Sequence, residues 1–568
     1  MNHYQAPTAD ISFILNSVLQ APAQLQSLSA FAEVDPELMQ QVLDEAGKFV
    51  TEVIAPLSRT GDELGCLFNN GQVTTPPGFK AAYQAFWHAG WPALACATKD
   101  GGQGLPAVLE AVLYEMLSGA NHGWTMAPGL LHGAYECIKH HAGDELKARY
   151  LEKIATGEWL ATMCLTEPHA GSDLGLVRTK AVPQPDGSYQ LSGTKIFISG
   201  GEHDLSDNII HLVLARLPDA PPGPKGLSLF LCPKFMPDGS RSPVVCERIE
   251  EKMGLHGSPT CVMRFDEATC WIVGTPGRGL NAMFVMMNAA RLHVALQGIG
   301  LLEAGWQKAN AYALERRQMR APGRGKSAAE ADLIMEHPAM RRILDTQRAW
   351  IDGGRVLAYR TAVELDIIKH HADTDRKALS EQWCSLVTPV LKAAWTQQAF
   401  YGASECLQVF GGHGYVREWG IEQIVRDARV SMIYEGTNEI QAIDLLVRKV
   451  LADGGSGLTA LMVTLSSNET DSDQRTSSLG WMAKTLVELT QQLVAASTTD
   501  LELPYWVADD YLRAVALTLL AWAWQQIEPA AGTGNSDAAR WQRPAAALRQ
   551  WVLPEFAMRV QIVRARLP

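Results

Sequence analysis

From about residue 35 to residue 157 apolar residues recur every third or fourth position, in PELMQQVLDEAGKFVTEVIAPL and again in AVLEAVLYEMLSGA, which is the period of helices with one buried face. Pro77-Gly78 and Gly101-Gly102 break that run into separate helices. Near Ala161 the texture changes to short strand-like runs, YQLSGTKIFIS, IIHLVLARL, GLSLFLCP and CVMRFDEATCWIVG, bounded by Pro, Gly and Asp. After Gly279 the long period returns, in MFVMMNAARLHVALQGIGLLEAGWQKANAYALERRQ, in HPAMRRILDTQRAWIDGGRVLAYRTAVELDIIKHH and in PVLKAAWTQQAFYGASECLQVFGG, which predicts packed bundle helices. The expected fold is mainly α with a central β domain. Its parts are an N-terminal extension (1–34), a helical domain (35–160), the β domain (161–279) and a helical bundle (280–451). A linker rich in Gly, Ser, Thr and Asp (452–478) and a Trp-rich helical tail (479–568), divided at PAAGTGNSDA, complete it. Trp481, Trp506, Trp522, Trp524, Trp541 and Trp551 of that tail are expected to anchor a core or a subunit interface.

With 47% hydrophobic and 19% charged residues over 568 positions the chain can bury a large core. A formal charge of −12 disfavours a broad electrostatic grip on nucleic acid or on an anionic membrane. The ten cysteines stand singly, without a C-x-x-C pair or a His cluster at zinc spacing, so neither a disulfide framework nor a metal site is expected and a reducing compartment fits. MNHYQAPTADISFILNSVL lacks the basic start and cleavage site of a secretory signal and the arginines of a mitochondrial presequence, so the expected address is the cytoplasm. The apolar stretch Ala514 to Trp524 is too short to cross a bilayer, which takes about 20 apolar residues.

Four segments carry candidate chemistry. MCLTEPHAGSDLG, at the change from helical to strand texture, combines hydroxyls and small residues, so its turn can offer N–H and O–H groups to a flat heterocycle or a phosphate; an ordinary Asx or Ser turn has the same composition. Phe197-Ile-Ser199-Gly-Gly ends a strand with a hydroxyl and two residues that admit a close neighbour. Gln408-Val-Phe-Gly411-Gly412-His-Gly414 closes a helix with three glycines, more than a helix stop needs. It is neither the G-x-G-x-x-G of a dinucleotide fold nor a Walker A sequence, which disfavours nicotinamide and nucleoside triphosphate folds. In RDARVSMIYEGTNEIQ, Glu435 follows an apolar stretch and precedes Gly436, so its carboxylate can occupy an apolar cavity where desolvation makes it a usable base; a solvated loop Glu is the alternative reading.

In order and spacing MCLTEPHAGSD, KIFISG, EKMGLHGSPTC, YALERRQ, QVFGGHGY and RDARVSMIYEGTNEIQ resemble the flavin-dependent acyl-CoA dehydrogenase family over roughly residues 35–451. The Y-x-A-P-x-x-D start, GLHGSPTC, the HPAMRRILDTQRA helix and the tail are similar to a narrower, longer-chained group that includes a dehydrogenase of 3-(methylthio)propanoyl-CoA in dimethylsulfoniopropionate breakdown, and that thioester is the most specific substrate expected. The resemblance implies a helical N-terminal domain, a β-barrel or sandwich middle domain and a four-helix bundle that hold FAD among them, in a homodimer or dimer of dimers with an electron-transfer flavoprotein as acceptor. It implies that Leu165, Thr166 and Ser172 contact flavin or its phosphates, that Phe197 and Ser199 flank the isoalloxazine, and that Arg316, Gln318, Gln408, Gly411 and Gly412 reach the FAD of a neighbouring subunit. Thr437 and Glu439 would touch the cofactor, Ser172, Arg291 and Gly436 the CoA substrate, and Glu435 would be the base. Phe197 stands where Trp is common, Asn288 replaces an Asp one turn before Arg291, Met319-Arg320 replaces Phe-Gly, and His169 replaces Gly. An acyl-CoA oxidase passing electrons to oxygen, and a nucleic-acid-associated flavoprotein of the same fold with Arg559, Arg564 and Arg566 as its basic end, are the alternatives.

Overall fold

The computed structural model describes residues 4–323, 329–434, 436–467, 478–532 and 538–568. The chain folds into two compact units, one of Phe49–Glu110 with Asn121–His293, the other of Met1–Lys48, Ala111–Ala120 and Val294–Pro568.

The unit of residues 49–110 and 121–293 is built on β-strands. A small hairpin, β1 (Leu67–Asn69) with β2 (Gln72–Thr74), turns through Asn70 and Gly71, both at positive φ. It lies in the region expected to be mostly helical; Asn-Gly between short runs is the signal for such a two-residue turn. The strands β3 (Leu160–Cys164), β4 (Lys180–Pro183), β5 (Tyr189–Ser199), β6 (Ile209–Arg216), β7 (Leu227–Pro233), β8 (Val244–Ile249) and β9 (Thr260–Val273) form one mixed sheet. Its pairings run β6, β4, β5, β9, β7 and back to β6, which closes a barrel; β3 lies parallel beside β6 and β8 pairs along β9. Closure pairs the five strands of the ring on both sides, leaving β3 and β8 as one-sided additions, and the alternating inward side chains fill the interior. Val213, Ala215, Phe230 and Phe265 lie there with five cysteines, Cys164, Cys232, Cys246, Cys261 and Cys270.

The other unit is helical. Part of α1 (Ala107–Thr125), the C-terminal part of α2 (Gly279–Glu315), α3 (Pro338–His370), α4 (Thr374–Val409) and α5 (Asn438–Ile443) make its bundle. By composition α2 is long and apolar enough to span a bilayer, but its most apolar window is 78% buried within the protein. The expected linker holds a helix, α6 (Ser456–Ser466), which buries Leu458, Leu461, Met462 and Leu465. Its Gly, Ser and Thr content hid an apolar i, i+3, i+4, i+7 spacing; the remainder of that linker from 468 to 477 lies outside the described residues. The tail helices α7 (Leu503–Gly532) and α8 (Ala538–Ala547) pack on α3. Trp524 donates to the Ala349 carbonyl at 2.9 Å, and a side chain at Gly353 would collide with Leu520. Trp522, Trp524 and Trp541 are buried as core anchors, whereas Trp506 and Trp551 are 64% and 46% exposed.

An ionic network runs through this unit. Arg355 donates to Glu115 and Glu303 at 2.8 and 2.9 Å, and Tyr359 donates to the other oxygen of Glu115. Arg348 bridges Glu303, Asp352 and Asp10 at 2.7 to 2.8 Å. Arg540 of α8 binds Asp352 and Asp10 at 2.8 to 3.0 Å. Buried charges are tolerable only when matched in this way.

Candidate active site

Of the residues expected at the cofactor in the barrel unit, Leu165, Thr166 and Phe197 lie beside one irregularity of β5. Between Lys195 and Ile198 its pairing with β9 shifts register, and Phe197 adopts φ +59 with its ring 61% exposed. A bulky residue in the left-handed region costs about 1–2 kcal/mol, and a bulge re-aims the side chain it carries. Lys195, wholly buried one residue before Ile196, donates to the Leu165 carbonyl and to Glu167, both at 2.9 Å, while the Ile196 N–H donates to the Thr166 carbonyl at 2.9 Å. Because a trans peptide points its C=O and N–H in opposite directions, the Thr166 N–H faces away from Lys195. Burial pushes the Glu167 carboxyl up, but Lys195, the Thr179 hydroxyl and the Arg178 N–H outweigh it and hold the group below the ordinary range. Leu165, Thr166 and Phe197 are thus brought together by a buried ion pair. Ser199 closes β5 opposite Thr260; Ser172 is exposed on the loop after Ala170, next to Asp173, which caps the following turn. Arg291 is half-buried on α2, 3.4 Å from the Asn288 side-chain oxygen. His169, at the position where Gly is common, lies 3.1 Å from the Leu176 carbonyl and 3.4 Å from Glu167.

In the helical unit, Arg316 and Gln318 follow α2 in an extended segment whose backbone pairs with Asp332 and Ile334. The ring of Tyr312 stacks on Phe410 with centroids 4.3 Å apart, and its hydroxyl lies 2.9 Å from His413 Nδ1. Trp419 stacks on His413 at 4.6 Å. These rings join the end of α2 to the end of α4, so Arg316 and the Gln408–Gly412 segment, expected as a set, do share one region. Gly411 has φ +59, and no described residue lies within 4 Å of a side chain added at Gly411 or Gly412; one at Gly414 would strike the Leu407 carbonyl at 2.6 Å. Gly414 therefore serves packing, while the other two leave an open cradle. The aromatic scaffold was not read from the sequence, although Tyr312 sits one turn before Arg316 in the YALERRQ helix end.

Glu435, the expected base, lies outside the described residues. On its far side Gly436 has φ +86, which favours glycine, and Thr437 caps α5 by accepting from the Ile440 N–H. Glu439, expected at the cofactor, is exposed in the first turn of α5. Tyr434, on the near side, donates to Gln297. Lys392 of α4, 0% exposed, donates to the Gly436 carbonyl at 2.8 Å and to Asn438 Oδ1 at 3.0 Å. Neither Lys392 nor Asn438 was picked out from the sequence; a lone Lys inside the apolar run VLKAAW was the available signal.

The left-handed, exposed Phe197 stands in the first unit, and the left-handed Gly411 and Gly436 stand in the second. Family models for the N-terminal, middle and C-terminal domains of acyl-CoA dehydrogenase match residues 36–158, 162–268 and 277–450. The chain belongs to the acyl-CoA dehydrogenase family, whose members are flavin-dependent oxidoreductases acting on CoA thioesters. It is 45% identical to the 3-methylmercaptopropionyl-CoA dehydrogenase of Ruegeria pomeroyi over 80% of this chain and 77% of that protein. Identity to a broad-specificity linear acyl-CoA dehydrogenase of Mycobacterium tuberculosis is 36%, over 81% and 77%. The fold matches that of an acyl-CoA dehydrogenase of Bacillus anthracis solved with FAD, with a TM-score of 0.77 at 19% identity over 94% of this chain and 89% of that one. The tail beyond residue 450 lies outside all three family models.

Proposed function

We propose that the protein removes a proton and a hydride from the α and β carbons of an acyl-CoA, leaving the trans-2-enoyl thioester, with Glu435 as the base. The observation that carries this reading is the Y-E-G-T-N-E loop itself, with a glutamate followed by a left-handed glycine and a capped helix, in a chain 45% identical to a named dehydrogenase of this class. FAD, when bound, supplies the hydride acceptor. Residues proposed to contact it are Leu165, Thr166, Ser172, Phe197 and Ser199, with Thr437 and Glu439; Arg316, Gln318, Gln408, Gly411 and Gly412 are proposed to reach the FAD of a neighbouring subunit. The exposed Phe197 ring and the open space at Gly411 and Gly412 support that assignment. In this reading Glu435 takes the α-proton and its backbone N–H donates to the thioester oxygen; one such donor is worth about 3–4 kcal/mol in the transition state. Ser172, Arg291 and Gly436 are proposed to contact the CoA substrate.

The substrate we propose is 3-(methylthio)propanoyl-CoA, on the strength of the Ruegeria pomeroyi relative. An electron-transfer flavoprotein as acceptor, a homodimer or dimer of dimers, and a cytoplasmic setting, the last supported by ten free cysteines, complete the proposal. Anaerobic bleaching of the bound flavin by a panel of acyl-CoAs that includes the methylthio compound tests it. Glu435→Gln should retain flavin and bind thioester but lose at least about 1,000-fold in bleaching rate. Bleaching at the original rate in that variant would remove Glu435 from the reaction, and hydrogen peroxide formed in air at the rate of turnover would assign the oxidase alternative.

A further inference from the structure

The structure assigns Lys392 a part in the reaction: we propose that it is a positioning residue that clamps the segment following the base. The inference rests on Glu435 being that base. Three hydrogen bonds tie residues 436–438 to a single turn of α4. Lys392 gives two, to the Gly436 carbonyl at 2.8 Å and to Asn438 Oδ1 at 3.0 Å; the Asn438 amide returns one to the Ala393 carbonyl at 3.0 Å. Gly436 is boxed from the other side by Gln441, whose amide nitrogen would stand 2.6 Å from any side chain added there.

Packing does not explain a lysine at this place. Its neighbours Val390, Leu391, Ala393, Ala394 and Trp395 are all buried, and an aliphatic residue fills such a position without the cost of desolvating an amine. What the lysine supplies is reach: from the helix interior its amine meets the carbonyl of the residue joined to Glu435, whose Cα is one peptide, about 3.8 Å, from that of Gly436. Strands of chain on loops drift; a reacting carboxylate displaced by 1 Å can lose about 100-fold in rate.

The test uses the full-length FAD-loaded enzyme with butyryl-CoA as probe. Lys392→Met should keep its flavin, slow bleaching at saturating thioester by about 100-fold and change the half-saturating concentration by no more than about threefold. Independently of turnover, hydrogen exchange in residues 436–441 should quicken while the rest of α4 keeps its protection. Asn438→Ala, which retains the lysine, should show the same pattern with about a tenfold loss, and it decides the matter if Lys392→Met does not fold. Saturating rates within about twofold of the parent, or unchanged exchange at 436–441 in a folded variant, would overturn the clamp. If the parent enzyme itself is bleached by no acyl-CoA, the reading of Glu435 fails, and the exchange measurement still judges the clamp.

Discussion

Single residues show how far chemistry was written in the chain. The carbonyls of Leu165 and Thr166, residues expected at the flavin from their motif, accept from Lys195 and from the Ile196 N–H. Phe197 was expected beside the isoalloxazine, but its left-handed backbone was not legible, because that conformation is set by the register shift between β5 and β9 rather than by any local sequence preference. Three histidines of the barrel unit make a prediction at this scale. Burial pushes His122 down to about 4 and His203 and His211 down to about 3. The folded state thus refuses protons that the unfolded chain accepts below about 6.5. Their contribution is fully present above that pH and is lost as pH falls toward the folded values, at up to about 1.4 kcal/mol per pH unit for each histidine. His132 has the opposite sign: burial works against its proton, but Glu110 at 3.2 Å outweighs it and raises the pKa, so it adds no slope below pH 6.5. Urea midpoints measured from pH 7 to 5 should therefore fall steadily, and His211→Gln should flatten the slope by about a third of the three-histidine sum. A midpoint independent of pH over that range would refute the assignment.

At the scale of elements, hydrophobic period located the long helices and most barrel strands, and it failed where composition masked it. The Asn70-Gly71 hairpin and α6 are two such cases: the first is too short to alternate, the second hides four buried apolar residues among small polar ones. The tail is another case. Its tryptophans announced packing without saying against what, and the answer lies in residues far away in sequence, Ala349, Gly353 and Asp352. Arg540 ties α8 to Asp352, which is 0% exposed, and to Asp10. Although burial opposes ionisation of both carboxyls, Arg348 and Arg540 hold them low, Asp10 at about 2. Removing one member leaves a buried charge short of its partner, so Arg540→Met should lower unfolding stability at neutral pH by about 3 kcal/mol, read from denaturant midpoints. A change under about 0.5 kcal/mol would show that the pair breaks even with a hydrophobic replacement.

Over the whole molecule, the family was legible because six motifs kept their order along a long chain, whereas what binds the base loop in place was not, since Lys392 and Gly436 are 44 positions apart and meet only after folding. Eight of the ten cysteines are buried and Cys66 and Cys384 are half-buried. Burial pushes the thiols of Cys66, Cys137, Cys164 and Cys384 up to about 12, which leaves almost no thiolate at neutral pH. Intact protein should take up maleimide only over hours, and the five barrel thiols should all become modifiable in one step when that unit opens. Stepwise adduct masses instead would mean that the barrel frays strand by strand. The chain thereby carries a built-in counter of its own opening: each barrel alkylated at all five thiols is a permanent tally of a molecule that came apart, recoverable by weighing peptides long after the event.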